Sequence, residues 1–474
     1  MKQTTIISCI ALALLLGGCY KDKGHYDINM PTVPQVTNLE EEYEAVVGDS
    51  LIIEPVVEAA PGDEIELEWR IFAPEAPAGD YEFTGPALRI IFGLQANRYA
   101  ARLTVHNTTN GMKYFHNFEI QGVTEFVRGT TVLSVEDGIT RFSFIKPDST
   151  VQARLYEAIH GKELPADPLQ LLYMHDEATG NLPLGYWIIT RNGGVRLNVS
   201  NMQEDPLYPN TLAANFFSAP DQLDVGLFQH FNRGVLMGVV NGKFYGGATT
   251  TWNQSVTYGM FGGYADGDYE LAPSFIMTTI GPNTSFIGFD RNRKQFLRFN
   301  LYGNPVFFGT QYSVTNPQIF DPLNVGMDLV DMVQVNNAET FAYVADADGT
   351  IHELAFQVNF SGPFTFTPIH KRPFVRQELF GENTKLLAAR NGVIYIAAGN
   401  KVYRYNPLNE EVRELDATFT APVTMIKLAD NENTLVVGAG NSLYYLAIQT
   451  GRFGDLTGQI NGIPGYPVDI AFRN

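Results

Sequence analysis

The carboxy-terminal part of the chain alternates apolar and polar positions in short runs. Residues 384–405 contain three such runs separated by turn residues, which predicts three strands joined by hairpins. The same pattern returns over 423–446, about forty residues later. A meander of short strands is too small to bury its own faces, and its repetition at this period is typical of β-propeller blades.

Similar hairpin patterns occur further upstream, centred on 130–145, 186–194, 235–242, 285–299 and 332–356. Together they predict a propeller of approximately seven blades over residues 124–474. The last apolar run, 468–472, has no hairpin partner after it, and the first unit lacks its innermost strand. We therefore predict that this terminal strand completes the first blade and closes the ring.

One helix is predicted within the propeller. Val151, Leu155 and Ile159 are spaced four residues apart, as on one face of a helix, and Asp148-Ser149 precedes them as possible caps. We expect a short amphipathic helix that covers the edge of one blade.

Residues 28–123 show a different pattern, in which buried and exposed positions alternate over roughly seven strands. This predicts two packed sheets. Gly48-Asp49-x-Leu51 and Leu67-x-Trp69 resemble an immunoglobulin-like sandwich of the PKD-like type, in which we expect Trp69 to be a core residue. The predicted fold class is all-β: an Ig/PKD-like β-sandwich followed by a β-propeller.

The amino terminus resembles a bacterial lipoprotein signal. Residues 1–18 combine a basic tip with a short apolar core, and they end in Leu16-Gly17-Gly18-Cys19, which resembles a lipobox. We expect Cys19 to be acylated after cleavage, with residues 19–27 as a tether. Lys21 and Asp22 resemble the export signal of Bacteroidetes surface lipoproteins, which implies an outer-membrane protein facing the extracellular side.

Composition narrows the possible partners. The formal net charge is −19, so we expect no binding of nucleic acid. The two cysteines are Cys9, in the predicted signal peptide, and Cys19. We therefore expect neither a disulfide nor a cysteine-based metal site in the mature protein.

Local catalytic motifs are not apparent in the sequence. Asp346-Ala347-Asp348-Gly349-Thr350 has some features of a calcium loop but lacks its later ligands, so we expect an ordinary Asp-Gly hairpin turn. The eight histidines are scattered without ligand spacing. We expect no enzyme activity, metal or cofactor, although acidic residues from different blades could still converge as in a glycoside hydrolase.

The segment 246–264 is the strongest candidate for ligand binding. It places aromatic residues among Gly, Thr, Asn and Gln, a mixture that suits sugars or peptides. We predict that Trp252, Tyr258 and Tyr264 contribute to binding. The alternative is that the tyrosines pack between blades and the glycines form turns.

The combination of lipobox, sandwich and propeller resembles the PKD-like family lipoproteins of Bacteroidetes. That resemblance implies a non-catalytic accessory of a nutrient-uptake system of the starch-utilisation type, which would bind a glycan beside a TonB-dependent transporter and its surface lipoprotein. A peptide-binding accessory, a structural partner of the transporter, and a propeller glycoside hydrolase or lyase remain alternatives.

Overall fold

A computed structural model describes residues 31–73, 80–177, 182–204, 209–231, 234–247, 257–280, 283–336, 339–360 and 362–473. The predicted signal peptide and tether, with Cys19, and also Trp252 lie outside the described residues. Contacts divide the chain into two compact units, Met1–Val123 and Thr124–Asn474. Each unit is described by itself below.

The first unit is a β-sandwich. Its strands are β1 (Gln35–Thr37), β2 (Glu42–Val46), β3 (Ser50–Ile53), β4 (Val56–Glu58), β5 (Ile65–Ile71), β6 (Tyr81–Thr84), β7 (Leu88–Ile91), β8 (Arg98–Asn107) and β9 (Met112–Val123). One layer is a five-stranded sheet in the order β2-β9-β8-β5-β6, and the other consists of the pairs β1-β4 and β3-β7. The β2-β9 pair is parallel and the other pairs are antiparallel.

Alternation along the strands gives this sandwich one apolar core. Trp69 on β5 is fully buried beside Leu103 and Phe118, and its indole Nε1 donates to the Gly85 carbonyl oxygen at 3.0 Å. A buried indole needs such an acceptor, because an unpaired N–H would retain its desolvation penalty. The predicted core role of Trp69 is confirmed.

The second unit is a seven-bladed propeller, counted over the described residues. Its strands, in chain order, are β10 (Gly129–Glu136), β11 (Ile139–Ile145) and β12 (Val151–Gln152) in blade 1; β13 (Pro168–Asp176), β14 (Leu182–Thr190) and β15 (Gly193–Leu197) in blade 2; β16 (Val225–Phe231), β17 (Val235–Val240) and β18 (Lys243–Gly246) in blade 3; β19 (Leu271–Ile280), β20 (Asn283–Asp290), β21 (Gln295–Tyr302) and β22 (Asn304–Gly309) in blade 4; β23 (Ser313–Val314), β24 (Asp328–Asn336), β25 (Glu339–Ala345), β26 (Ile351–Asn359) and β27 (Thr365–Pro373) in blade 5; β28 (Lys385–Ala388), β29 (Ile394–Ala398), β30 (Lys401–Asn406) and β31 (Glu411–Glu414) in blade 6; β32 (Val423–Ala429), β33 (Thr434–Ala439), β34 (Ser442–Ala447) and β35 (Asp455–Asn461) in blade 7; and finally β36 (Tyr466–Arg473).

The terminal strand closes the ring. β36 pairs with β10 as the innermost strand of blade 1, with Thr131 opposite Ala471. The inner strands β36, β13, β16, β19, β24, β28 and β32 each contact the next, and β32 contacts β36. The predicted seven blades and the predicted closure by the terminal strand are both confirmed.

Side chains rather than a backbone ladder connect some neighbouring inner strands. The Gln170 amide on β13 accepts from the Phe228 N–H at 2.7 Å and donates to the Phe228 carbonyl at 3.1 Å. The Gln334 amide on β24 makes the same pair of bonds to Met277, at 3.1 and 3.0 Å. Such clamps satisfy backbone groups that have no strand partner on that side.

The helix prediction is partly wrong. The α-helix α1 (Leu155–His160) is shorter than predicted, and Val151 lies in β12, paired with Ile145. Asp148 caps no helix, because its Oδ1 accepts the Thr150 N–H at 2.9 Å within a turn. This local side-chain bond competes with helix initiation. Short 3₁₀ turns occur at Ala213–Asn215, Gln377–Leu379 and Asp430–Glu432.

Candidate functional site

The main candidate site is a cavity at the amino ends of the inner strands, which we call the channel mouth. Its volume is about 600 Å³, within the usual range for ligand pockets. Four inner strands, in blades 1, 2, 6 and 7, contribute to it. Its lining residues are Val135, Gly138, Asp167, Pro168, Leu169, Arg191, Asn383, Lys385, Pro422, Val423, Thr424, Tyr466 and Val468.

A repeated hydrogen bond builds this end of the propeller. The first N–H of an inner strand donates to a turn carbonyl of the preceding blade. The pairs are Val225 to Arg191 at 2.8 Å, Leu271 to Gly242 at 2.9 Å and Val423 to Gly399 at 2.8 Å. The turns are thereby fixed around the axis, so side chains from different blades converge without being close in sequence.

The channel mouth presents an aromatic ring and an ammonium group that are available to a ligand. Tyr466, the first residue of β36, is 46% exposed. Arg191 faces Asp224 at 3.9 Å and donates to the Val225 carbonyl at 3.3 Å. Among the described residues, Lys385 has no ion-pair partner within bonding distance, so its charge is available to a ligand.

Two carboxylates on the inner strands, Asp331 and Asp469, have different surroundings. Burial raises the pKa of Asp331 on β24 to about 6, while the Met332 N–H, the Lys385 charge and the Ser274 hydroxyl oppose that rise. Asp331 is half-buried, and the side chains around it desolvate its carboxylate, which raises the pKa. A carboxyl with this pKa exchanges its proton near neutral pH.

Asp469 on β36 has a structural role instead. Its Oδ1 accepts from Lys427 at 2.7 Å and from the Ile470 N–H at 2.8 Å, and its Oδ2 accepts from the Leu171 N–H at 2.8 Å. These bonds join the inner strands of blades 7, 1 and 2. The oxygens of Asp469 are therefore already occupied.

A second cavity of about 370 Å³ adjoins the segment that carries Lys385. It is lined by Val330, Asp331, Ile351, Phe380, Gly381, Glu382, Thr384 and Leu386. Residues 383–385 therefore face a cavity on either side, and Asp331 is accessible from the second one.

The tyrosines predicted to bind a ligand have different surroundings. Tyr258 is 9% exposed and belongs to the apolar core between blades 3 and 4, with Val235 and Phe286. This position agrees with the alternative stated above, in which the tyrosines of 246–264 pack between blades. Tyr264 is 41% exposed, its ring lies 5.8 Å from that of Tyr245, and the Lys243 ammonium is 5.7 Å from its centroid.

The Asp346 loop is the expected hairpin turn between β25 and β26. Asp346 Oδ1 accepts the N–H groups of Asp348 at 3.0 Å and Thr350 at 2.9 Å, and its Oδ2 lies 2.9 Å from His352 Nε2. Bonding to His352 lowers the pKa of Asp346. The carboxylate satisfies its own turn, as in an Asx turn.

Sequence reasoning did not find Tyr466 and Lys385 as site residues. Each is the first residue of an inner strand, and that shared position is the signal that would have pointed to them. Their convergence depends on ring closure, which brings residues from the end of the chain beside blades 2 and 6.

The described residues contain no helix that is long and apolar enough to cross a membrane.

The fold and cavity define a two-unit all-β protein, a sandwich followed by a seven-bladed propeller with a candidate ligand site at its channel mouth. Residues 19–168 match the PKD-like family model. The predicted PKD-like resemblance is confirmed over that part of the chain. Comparison with curated proteins finds no match.

Solved structures with some likeness have different descriptions. A quinonprotein alcohol dehydrogenase-like protein from Bacteroides thetaiotaomicron is 13% identical, with 93% of this chain and 99% of that chain covered and a TM-score of 0.38. A dihydro-haem d1 dehydrogenase is 6% identical, with 78% and 73% covered and a TM-score of 0.40. A yeast nucleoporin complex is 10% identical, with 71% and 95% covered and a TM-score of 0.37. Likenesses this distant carry no argument about what this chain binds.

Proposed function

We propose that this chain is a non-catalytic surface lipoprotein whose propeller binds a glycan at the channel mouth. The observation that carries the proposal is a cavity of about 600 Å³ that combines an exposed aromatic ring, Tyr466, with the exposed ammonium group of Lys385. Sugar rings stack on aromatic side chains, and their hydroxyl groups accept from ammonium and amide donors. Asn383 supplies such an amide at the same cavity.

In this proposal Cys19 holds the protein on the outer membrane, facing outwards, and the sandwich serves as a spacer. The glycan-binding propeller would serve a TonB-dependent transporter and its surface lipoprotein. A fatty-acid label that is incorporated by the wild type and not by Cys19→Ala tests the anchor. Copurification with a transporter tests the partner.

Paired tyrosine variants test the binding site. A glycan array first identifies a ligand, and calorimetry then measures its affinity for Tyr466→Ala and Tyr264→Ala. The two tyrosines are similarly exposed, at 46% and 41%, so each controls for the other. An aromatic anchor is worth about 1–3 kcal/mol, so we expect Tyr466→Ala to weaken binding about tenfold or more and Tyr264→Ala to leave it unchanged.

The opposite result would move the site to the 246–264 segment, with Trp252 as the next residue to test. Binding of peptides and not of glycans would favour the peptide-binding alternative. An array that shows neither, with the transporter still copurifying, would favour a purely structural partner.

Hydrolysis is a second candidate function, because Asp331 lines the second cavity of about 370 Å³ and burial raises the pKa of its carboxyl to about 6, as in a general acid. Turnover on a panel of glycans tests it directly. Product release that Asp331→Asn abolishes would establish the enzyme. Binding without product would support the non-catalytic proposal.

A further inference from the structure

Three side chains that commonly bind metals meet at the opposite end of the propeller from the channel mouth. His175 lies near the carboxyl end of β13, Glu177 follows that strand, and His230 lies near the carboxyl end of β16. One ligand atom from each residue lies within 4.8 Å of the other two. Adjacent inner strands bring them together although the two histidines are far apart in sequence.

We propose that His175, Glu177 and His230 bind a first-row divalent transition metal ion such as Zn²⁺. Two imidazoles and one carboxylate form a ligand set that suits this ion. Three protein ligands would leave the fourth tetrahedral position to water or to a bound ligand. The site is independent of the proposed glycan site.

The hydrogen bonds of His230 favour this role. Its Nε2 lies 2.7 Å from the His175 carbonyl oxygen and 3.3 Å from the His175 backbone nitrogen. We place the proton on Nε2, because the contact with the carbonyl oxygen, which can only accept, is the shorter of the two. Nδ1 then has a free lone pair. Metal-binding histidines commonly donate the second ring N–H to a backbone carbonyl, which fixes the tautomer and the ring orientation.

His175 has unused hydrogen-bonding capacity next to this group. Its Nε2 lies 3.7 Å from the Glu177 carboxylate. Within the described part of the chain, its Nδ1 is buried without a hydrogen-bond partner. Its ring lies 4.5 Å from the His230 ring, at an interplanar angle of 36°. No hydrogen bond of Nδ1 therefore explains why this side chain lies here, whereas coordination of a metal by the imidazole would explain it.

The adjustment needed to bind a metal is small. Zn–N and Zn–O bonds of about 2.0–2.2 Å in a tetrahedron place the ligand atoms about 3.3–3.6 Å apart. Glu177 is the most exposed of the three side chains, at 54%. Its carboxylate already lies 3.7 Å from His175 Nε2, and its side chain can rotate toward a bound ion without moving either strand.

The test uses the full-length protein, purified without a polyhistidine tag and stripped with EDTA. Calorimetric titration with Zn²⁺ should give one ion per chain with a dissociation constant in the micromolar range or tighter. His175→Gln and Glu177→Gln should each weaken binding at least tenfold. His106→Gln is the matched control, because His106 faces one carboxylate, Glu66 at 3.9 Å, and should bind as the wild type does.

Cobalt supplies a readout that does not depend on stability. Co²⁺ in a tetrahedral site gives intense visible absorption, which should appear in the wild type and in His106→Gln and be lost in Glu177→Gln. Glu177 is exposed, so this variant should melt as the wild type does without metal. A wild type that takes up no more Zn²⁺ than His175→Gln/His230→Gln, or full Co²⁺ absorption in Glu177→Gln, would overturn the proposal.

Discussion

Glu353 on β26 provides the sharpest test of what holds blades 5 and 6 together. Its side chain is fully buried. One of its oxygens, Oε1, accepts from Arg372 Nη2 at 2.7 Å, from Arg372 Nε at 3.0 Å and from His370 Nε2 at 2.8 Å. The Tyr343 hydroxyl donates to the other, Oε2, at 3.3 Å. Glu353→Gln removes the charge while preserving the size of the side chain.

The expected loss of stability depends on the hydrogen bonds and the ion pair that Arg372 keeps when the Glu353 charge is removed. Removing one partner of a buried ion pair costs about 3–5 kcal/mol, because the other charge stays desolvated. Arg372 keeps bonds to the Tyr405 hydroxyl at 2.9 Å and the Pro407 carbonyl at 2.6 Å, and it lies 3.3 Å from Glu410. These contacts compensate in part, so we expect the lower end, about 3 kcal/mol.

Urea unfolding followed by circular dichroism measures this loss, with a surface pair as control. Lys401 and Glu414 lie 2.8 Å apart with side chains 44% and 40% exposed, and such pairs contribute about 0–1 kcal/mol. Glu414→Gln should therefore change little. In a double-mutant cycle, Glu353→Gln/Arg372→Met should cost clearly less than the sum of its single variants. Additive costs, or a Glu353→Gln protein as stable as the wild type, would refute the reasoning.

Three further predictions concern the ring and its channel. Gly465→Ala should destabilise the propeller by several kcal/mol, because a Cβ there would lie 1.8 Å from a backbone oxygen of β10. Gly462→Ala, also at positive φ but in open space, should cost about 1 kcal/mol. Equal melting temperatures of the two variants would contradict this, and truncation after Gly465 should destabilise the propeller more than either substitution. Gln334→Leu leaves two backbone groups of Met277 without a partner and should lower the free energy of unfolding by about 2 kcal/mol. Gln229→Leu leaves one carbonyl without a partner and should lower it by about half as much. Similar urea midpoints for both variants and the wild type would show that these side-chain bonds between blades do not stabilise the ring. Folding raises the pKa of Asp331 to about 6, so the stability that this carboxyl contributes is complete below the pKa of the unfolded chain and is lost as pH rises through 6. The free energy of unfolding of Asp331→Asn should therefore rise by about 2 kcal/mol relative to that of the wild type between pH 4 and pH 8. A difference in free energy of unfolding that does not change with pH would contradict this.

The blades were predictable because the residues that specify each strand and turn are close together in the sequence. In blade 6 the apolar alternation and the turns at 390–392 and 399–400 fix strand, turn and strand within a few residues. Closure by β36 was also predictable, since a strand without a neighbour in sequence needs one in space. The helix prediction failed at Val151, where pairing with Ile145 in the sheet outweighed a weak helical pattern.

The candidate sites were not predictable in this way. Tyr466 and Lys385 line one cavity from blades 1 and 6, and His175 and His230 meet across two blades. Neither pair has a characteristic sequence spacing, because the distance between blades in the chain is set by loops of varied length. The segment 246–264 attracted attention through its composition, although Tyr258 within it is a core residue.

Polar side chains on the inner strands either hydrogen-bond to the backbone of a neighbouring blade or are available to a ligand, and their hydrogen bonds show which of the two applies. Inner strands do not form a backbone ladder with one another, so some of these side chains must satisfy backbone groups of the neighbouring blade. Gln170, Gln334 and Asp469 do so and have little capacity left for a ligand. Lys385 is an exposed side chain that makes no such bond among the described residues, and Asp331 lines the second cavity. A desolvated carboxyl is costly to ionise, so Asp331 with its raised pKa marks the second cavity, and the exposed side chains of Lys385 and Tyr466 mark the channel mouth, as the surfaces of the propeller to test for a ligand.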